Sequence, residues 1–398
     1  MRSRQLASLS ILQPDFKSLQ NFSIYIHFPV CKTICAYCDF PRVKFTNNLI
    51  DEYISALIKD IRFWGNLLSG KRVDTVYIGG GTPSLAGADL LKNVSCALSE
   101  SFNLELLQEF TVEVNPDDAS FQLLETLREA GVNRISMGIQ TLHNPERIGR
   151  RHSGEKALEA ISNIKKSGYT NFNADLIFGL PDCVENEFQQ NLEILTSLDI
   201  PHLSVYGLTL GEHSYWTELY KKGQLILPEE ESWINDFYSA RDFLESHGYS
   251  HYEISNYAKT GYESRHNQVY WNLGYWLGLG SGSSSSLGNY RFTMEFPPQN
   301  YLQRLAMGKH FPEDIEIVTA KEEWSEKLLS GLRMTAGISV PRDWFSNECF
   351  RNVTRNLFNQ DLIAIDDCKI KITRKGIIRS DNIIFMIIET LDSIFEKQ

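Results

Sequence analysis

The chain has 398 residues, 42% hydrophobic and 22% charged, an ordinary composition for a globular protein of two or three domains at roughly 100–200 residues each. Its net charge of -11 excludes a nucleic-acid binder built on a basic face, which needs clustered Lys and Arg, and no apolar run approaches the roughly 18–20 residues of a membrane span. The N-terminal stretch reaches Pro14-Asp15 without a small-residue cleavage site, so a cytoplasmic protein is expected and not a secreted one.

Residues 1–22 read as an N-terminal tail. From residue 23 to about 206, short runs rich in Val, Ile, Tyr and Phe alternate with amphipathic stretches. The expected strands are 23–28, 74–79, 109–114, 133–139, 172–178 and 202–206, most of them followed by Gly or Pro. Between the first two, Ile50, Tyr53, Ile54, Leu57, Ile58, Ile61 and Trp64 recur at three- and four-residue spacing, which is one apolar face of a helix. The stretches 85–98, 121–130 (capped by Asp118 or Ser120), 157–167 and 185–198 read the same way. Strand and helix in strict alternation demand parallel strands with right-handed crossovers. The expected fold is α/β: a partial (β/α)6 TIM-like barrel over 23–235, whose chemistry sits at the carboxyl ends of the strands.

The rhythm then changes. A helix is expected at 230–245, followed by a Tyr-, Trp- and Asn-rich stretch at 252–276 and by GLGSGSSSSLG at 278–288, which reads equally as a linker or as a close-packed loop. Helices at 320–334 and 348–358 precede two alternating runs at 362–373 around Asp366-Asp367. Residues 236–398 thus form a smaller, mainly helical C-terminal domain, with a winged-helix-like part at about 320–380. The acidic balance favours a structural role for that part over DNA binding.

Seven cysteines are an odd number, so complete internal pairing is impossible, and three of them fall within eight residues, at Cys31, Cys35 and Cys38. Clustering of that kind points to metal or catalysis. Three thiolates can hold three irons of a cubane cluster and leave the fourth open. Zinc is the competitor, with His27 four residues upstream of Cys31, although structural zinc sites usually draw their ligands from two separate segments.

The spacing CxxxCxxC after a first barrel strand resembles that of radical S-adenosylmethionine (SAM) enzymes. With Tyr25-Ile-His27-Phe-Pro29, Gly79-Gly-Gly-Thr82-Pro83, Glu113-Val-Asn115-Pro116, Gly138-Ile-Gln140, Gly149-Arg150 and Asp175-Leu-Ile-Phe-Gly179, the chain is similar to the oxygen-independent coproporphyrinogen III oxidase family from about residue 23 to its end. The resemblance implies that Cys31, Cys35 and Cys38 bind a 4Fe-4S cluster whose open iron is chelated by SAM. It also implies that Tyr25, Tyr37, Gly80, Gly81, Thr82, Glu113, Gln140, Arg150 and Asp175 form the SAM pocket. The stretch from Gln140 to Gly149 is about two residues shorter than the family pattern, and Arg151 adjoins Arg150, so either arginine can be the one that faces SAM. Reduction of the cluster would cleave SAM to methionine and a 5′-deoxyadenosyl radical.

That family contains decarboxylases and a heme-chaperone branch. The decarboxylases carry a further cysteine two positions after the third, where this chain has Phe40, and a longer N-terminal segment before the first strand. Arg265-His266-Asn267-Gln-Val-Tyr270-Trp271 matches the HNxxYW motif of the chaperone branch, which implies heme contact by His266, Tyr270 and Trp271; a neutral imidazole is a good axial ligand. The resemblance therefore implies a heme chaperone with three cofactors (4Fe-4S cluster, SAM and heme). Its partner would be an acceptor protein that can be membrane-associated, with an electron donor if SAM is cleaved. The alternatives are a coproporphyrinogen III decarboxylase, a radical SAM enzyme on another substrate, and a zinc-stabilised interaction module.

Overall fold

The computed structural model describes residues 6–8, 16–46 and 48–396. Seven parallel strands lie side by side in the order Trp276–Leu279, Asn21–Phe28, Arg72–Gly80, Glu109–Val114, Arg134–Gln140, Phe172–Phe178 and His202–Gly207. Six are the expected strands, two with unchanged ends and four with ends moved by one or two residues. The seventh was not foreseen.

The crossovers run through Leu49–Leu67, Gly87–Ser101, Phe121–Glu129, Gly154–Lys166 and Glu187–Ser197. In the first of these Ile50, Tyr53, Ile54, Leu57, Ile61 and Trp64 are all buried, the face its spacing marks out. Ser120 caps Phe121–Glu129 by accepting from the Leu123 amide, whereas Asp118 accepts from the Ser84 hydroxyl at 2.9 Å.

Antiparallel strands extend the sheet on both sides. Asn256–Ala258 and Ser250–Glu253 follow His202–Gly207; on the other side Ser284–Leu287, Tyr290–Thr293 and Asp314–Ile317 follow Trp276–Leu279, and Leu6–Ser8 closes that edge. Segment 278–288 is accordingly packed sheet and not a linker. Ser281, Ser283, Ser285 and Ser286 are buried and Ser284 is exposed; Ser281 Oγ donates to the Glu295 carbonyl and Ser283 Oγ to the Gly280 carbonyl, each at 2.7 Å. Gly280 has φ +91°, and a Cβ there would strike the Tyr53 hydroxyl and the His27 carbonyl; only glycine lets this strand approach the first one so closely.

Two expected boundaries give way to packing. Part of the expected tail 1–22 lies outside the described residues, but Phe16 and Leu19 belong to the main core, and the Phe16 ring lies 6.3 Å from Trp64 and 5.9 Å from Tyr290. The boundary expected at 235 falls inside helix Glu230–Ser246, and the main hydrophobic core continues through Tyr257, Leu277 and Tyr301 to Ile315. A separate core begins at Leu328, with Trp344, Phe350, Ile370, Ile384 and Ile387. It is built by helices Ala320–Gly331, Glu348–Asn359 and Ser380–Glu389 around a small sheet that adds Ile338–Ser339 to the hairpin Ile363–Asp366 and Lys369–Ile372. Among the described residues no helix is long and apolar enough to cross a membrane.

Candidate functional site

Register brings the strand ends to one level. Tyr77 pairs with Thr111 and Ile78 with Val112, so Glu113 comes up beside Gly79, and Gly138 pairs with Asp175 one strand further on. A cavity of about 590 Å³ opens there, lined by all three clustered cysteines and by Tyr37, Gly80, Gly81, Thr82, Glu113, Gln140, Arg150 and Asp175. Its size suits a small-molecule ligand.

Val30–Cys31 and Val43–Lys44 form a two-stranded parallel pair that closes the base of the cysteine loop. Within the loop the Cys38 amide donates to the Cys35 carbonyl at 3.2 Å, the Ala36 amide reaches the Ile148 carbonyl at 3.3 Å, and Arg42 bonds the Cys38 carbonyl. Cys31 Sγ accepts from Thr82 Oγ1 at 3.6 Å. Burial pushes the Cys31 thiol up to about 11 and raises Cys38 as well, so both are protonated at neutral pH.

His27 is not free to join these thiols. Its Nε2 lies 2.7 Å from the Pro41 carbonyl, which can only accept, so Nε2 carries the proton and Nδ1 accepts from the Tyr25 hydroxyl at 2.9 Å. Among the described residues no three His, Cys, Asp or Glu side chains converge as a single-ion ligand set. A cubane cluster asks for a wider spread, because each thiolate binds a different iron.

Two half-buried carboxylates line the same cavity as the thiols. Glu113 accepts from the Tyr77 hydroxyl at 2.8 Å and the Gly80 amide at 2.9 Å, yet burial still lifts its carboxyl to about 7. Asp175 is raised by burial too, against hydrogen bonds from Asn173 at 2.7 Å and from Ser204. Gln140, at φ 69°, keeps Oε1 buried without a hydrogen-bond partner. Arg150 bonds Asn115 Oδ1 at 2.8 Å and the Gly138 carbonyl, and reaches Cys35 Sγ at 3.8 Å, while Arg151 turns to Asp117 at 3.6 Å. It is Arg150, therefore, that faces the cavity.

Gly80 and Gly81, which line the cavity, also let two loops meet. A Cβ on Gly80 would strike the His27 ring, and one on Gly81 would lie 2.8 Å from the carbonyls of Phe28 and Val30. Their bareness lets this loop bind the stem of the cysteine loop, with Gly81 N–H to Phe28 at 2.7 Å and Thr82 N–H to Val30 at 3.0 Å. Tyr25 does not line the cavity; it acts one layer back, through His27.

The HNxxYW segment forms helix Arg265–Trp271, capped by Ser264 and seated on buried Glu109, which accepts from the Arg265 amide at 2.8 Å and the His266 amide at 3.2 Å. His266 is 1% exposed, and both ring nitrogens are engaged, Nδ1 with Thr75 Oγ1 at 2.7 Å and Nε2 with the Tyr270 hydroxyl at 2.8 Å. Burial lowers its pKa to about 3, so the ring is neutral. His266 and Tyr270 are thus turned to each other, and neither presents a free ligand atom here. Asn267 is the motif residue that lines the cavity. Trp271 lies under the Arg333 guanidinium, 5.9 Å from the ring centre.

Sequence reasoning missed Arg134, Asn173 and Ser204, which also line the cavity. Asn173 was findable, since it lies two residues before Asp175 on the same strand and two-residue spacing shares a face. Arg134, 1% exposed, carried its signal as a charge inside an expected barrel strand.

Residues 25–195 match the family model of the Radical SAM superfamily. The chain is 34% identical over 368 residues to the heme chaperone HemW of Lactococcus lactis, covering 91% of this chain and 96% of the relative. To that of Bacillus subtilis it is 34% identical over 365 residues, covering 89% and 96%. Among solved structures, coproporphyrinogen III oxidase (HemN) from Escherichia coli, described as a radical SAM enzyme, superposes with a TM-score of 0.82 at 21% identity, covering 94% of this chain and 91% of that one. At that identity the likeness speaks for the fold alone.

Proposed function

The chain belongs to the HemW family of radical SAM proteins, and from that premise we propose that it is a cytoplasmic heme chaperone, which binds heme and passes it to an acceptor protein. Cys31, Cys35 and Cys38 would hold a 4Fe-4S cluster, and Thr82, Glu113, Gln140, Arg150 and Asp175 would hold SAM. The donor set fits: three thiols on one wall, an orphaned amide oxygen on Gln140, and a Glu113 carboxyl whose ionisation a ligand ammonium would restore. When bound, the cluster supplies single electrons to SAM, which calls for an electron donor if SAM is cleaved.

The chain's own residues prepare the site. Arg150 places positive charge beside Cys35 and Asn115, Arg134 offsets the charge of the two carboxylates, and Tyr37 packs against Trp216 beside the thiols. The observation that carries the choice of carrier over decarboxylase is Phe40. It lines the same cavity and is 66% exposed, offering an apolar ring where the decarboxylase pattern has a thiol.

The test is anaerobic reconstitution with iron and sulfide, followed by heme titration in the Soret region and, in parallel, turnover of coproporphyrinogen III with SAM and a reductant. Stoichiometric heme binding without a vinyl product is expected; steady decarboxylation with no heme spectrum would overturn the proposal. In the same preparation Cys31→Ala should drop iron from about four per chain to near zero.

A further inference from the structure

The barrel and the C-terminal module meet at a second cleft, of about 320 Å³. Arg241 of helix Glu230–Ser246, Arg333, Lys371 of the hairpin and Arg374 line it, and no Asp or Glu does. In a chain of net charge -11 this is a local reversal of sign, and a cleft walled by one sign attracts a ligand of the other.

The four cations are not equally committed. Arg374 is bidentate to Asp242 at 2.5 and 2.7 Å, and Arg333 bonds Asp381 at 2.8 Å. Arg241 pairs with the Glu245 carboxylate one turn along its own helix, at 2.9 Å, and acts on the adjacent Asp242, and Lys371 has no anionic partner among the described residues. Ile254, Leu332, Met334 and Ile377 supply an apolar wall between them. A ligand that satisfies both is amphipathic, with an apolar body and more than one acid group. Arg333 joins this cleft to the motif helix, because the same guanidinium covers Trp271, whose Nε1 is buried without a partner.

We propose that this cleft grips the two propionate carboxylates of heme, with Lys371 and Arg241 as the pairing cations and the porphyrin edge against the apolar wall. The inference rests on the heme reading above and gives it a location. Carboxylates are ionised at neutral pH, and charge-assisted bonds to Lys and Arg are the strong ones. A nucleic acid would need a cationic track along its backbone, whereas these four side chains enclose one confined cleft.

The full-length protein is titrated with iron protoporphyrin IX and with its dimethyl ester, followed in the Soret band. Wild type should prefer the free acid about ten-fold. Lys371→Glu combined with Arg241→Glu should bring the acid down to the level of the ester and leave the ester unchanged, while Lys371→Arg keeps the preference. Neither altered side chain holds an ion pair between the modules, so an unchanged unfolding midpoint is expected for the double variant. A measurement on wild type alone serves as well: raising ionic strength from about 0.05 to about 0.5 M should weaken the acid and spare the ester. Equal binding of acid and ester, a salt-independent acid, or a double variant that keeps its preference overturns the cleft while the heme reading stands. Binding of neither porphyrin overturns the heme reading, and the cleft with it.

Discussion

Glu113 sits where burial holds its carboxyl near 7 against an ordinary value of 4.5, despite the Tyr77 hydroxyl and the Gly80 amide. The unfolded chain gives up that proton near 4.5 and the folded chain keeps it to about 7. This group's contribution to stability is therefore full below 4.5 and is lost as pH rises to about 7, a swing of about 3 kcal/mol. Glu113→Gln removes the swing: in urea unfolding without ligands, the variant should gain on wild type between pH 4.5 and pH 8, and a constant difference would falsify the argument. His266 offers a second test. Truncation to Ala strands the Tyr270 hydroxyl and leaves the Thr75 hydroxyl with Ser23 alone, so it should cost about 1–3 kcal/mol of unfolding free energy, heme or no heme. A loss of heme affinity with stability intact would show instead that His266 swings out to meet the iron. Its spacing before Tyr270 and Trp271 was legible in the sequence; its inward bonding was not, because Thr75 lies 191 residues away.

At the scale of elements, the cysteine loop has no regular structure of its own beyond the pair Val30–Cys31 and Val43–Lys44. Its shape is borrowed from the loop that follows the second strand. Gly81 is the contact point, so Gly81→Ala must displace both the Phe28 and the Val30 carbonyl. Overpacking of this kind costs about 1–3 kcal/mol. The variant should unfold at lower urea and take up less iron on reconstitution, although residue 81 supplies no metal ligand. Full iron uptake would mean that the loop tolerates the shift. The cysteine spacing itself is local and was readable, whereas the choice between Arg150 and Arg151 depended on which way the chain turns after Gly149.

For the whole molecule, the two buried cores are separate, one running through the extended sheet and one formed from Leu328 onward. The Arg374–Asp242 pair between them is about half exposed and adds little, as surface pairs do. Ile387 is fully buried in the second core, and Ile387→Ala should cost that module about 2–5 kcal/mol. Calorimetry should then show one of two transitions shifted, with the barrel's left in place; a single transition that moves as a whole would mean the modules unfold together. The six expected parallel strands were legible because β-branched and aromatic residues crowd short runs between amphipathic helices. The seventh was hidden by its composition, since beyond Trp276 the short run Leu277-Gly278-Leu279 and the serines after it carry little β signal and pack as sheet where Gly280 meets Tyr53 and His27. By itself the sequence determined the barrel, the three thiols and the order of the motifs, all products of local spacing. Tertiary structure alone decided which polar groups face the cavity, where the domains divide and where the cations gather, because each depends on partners far apart in the chain.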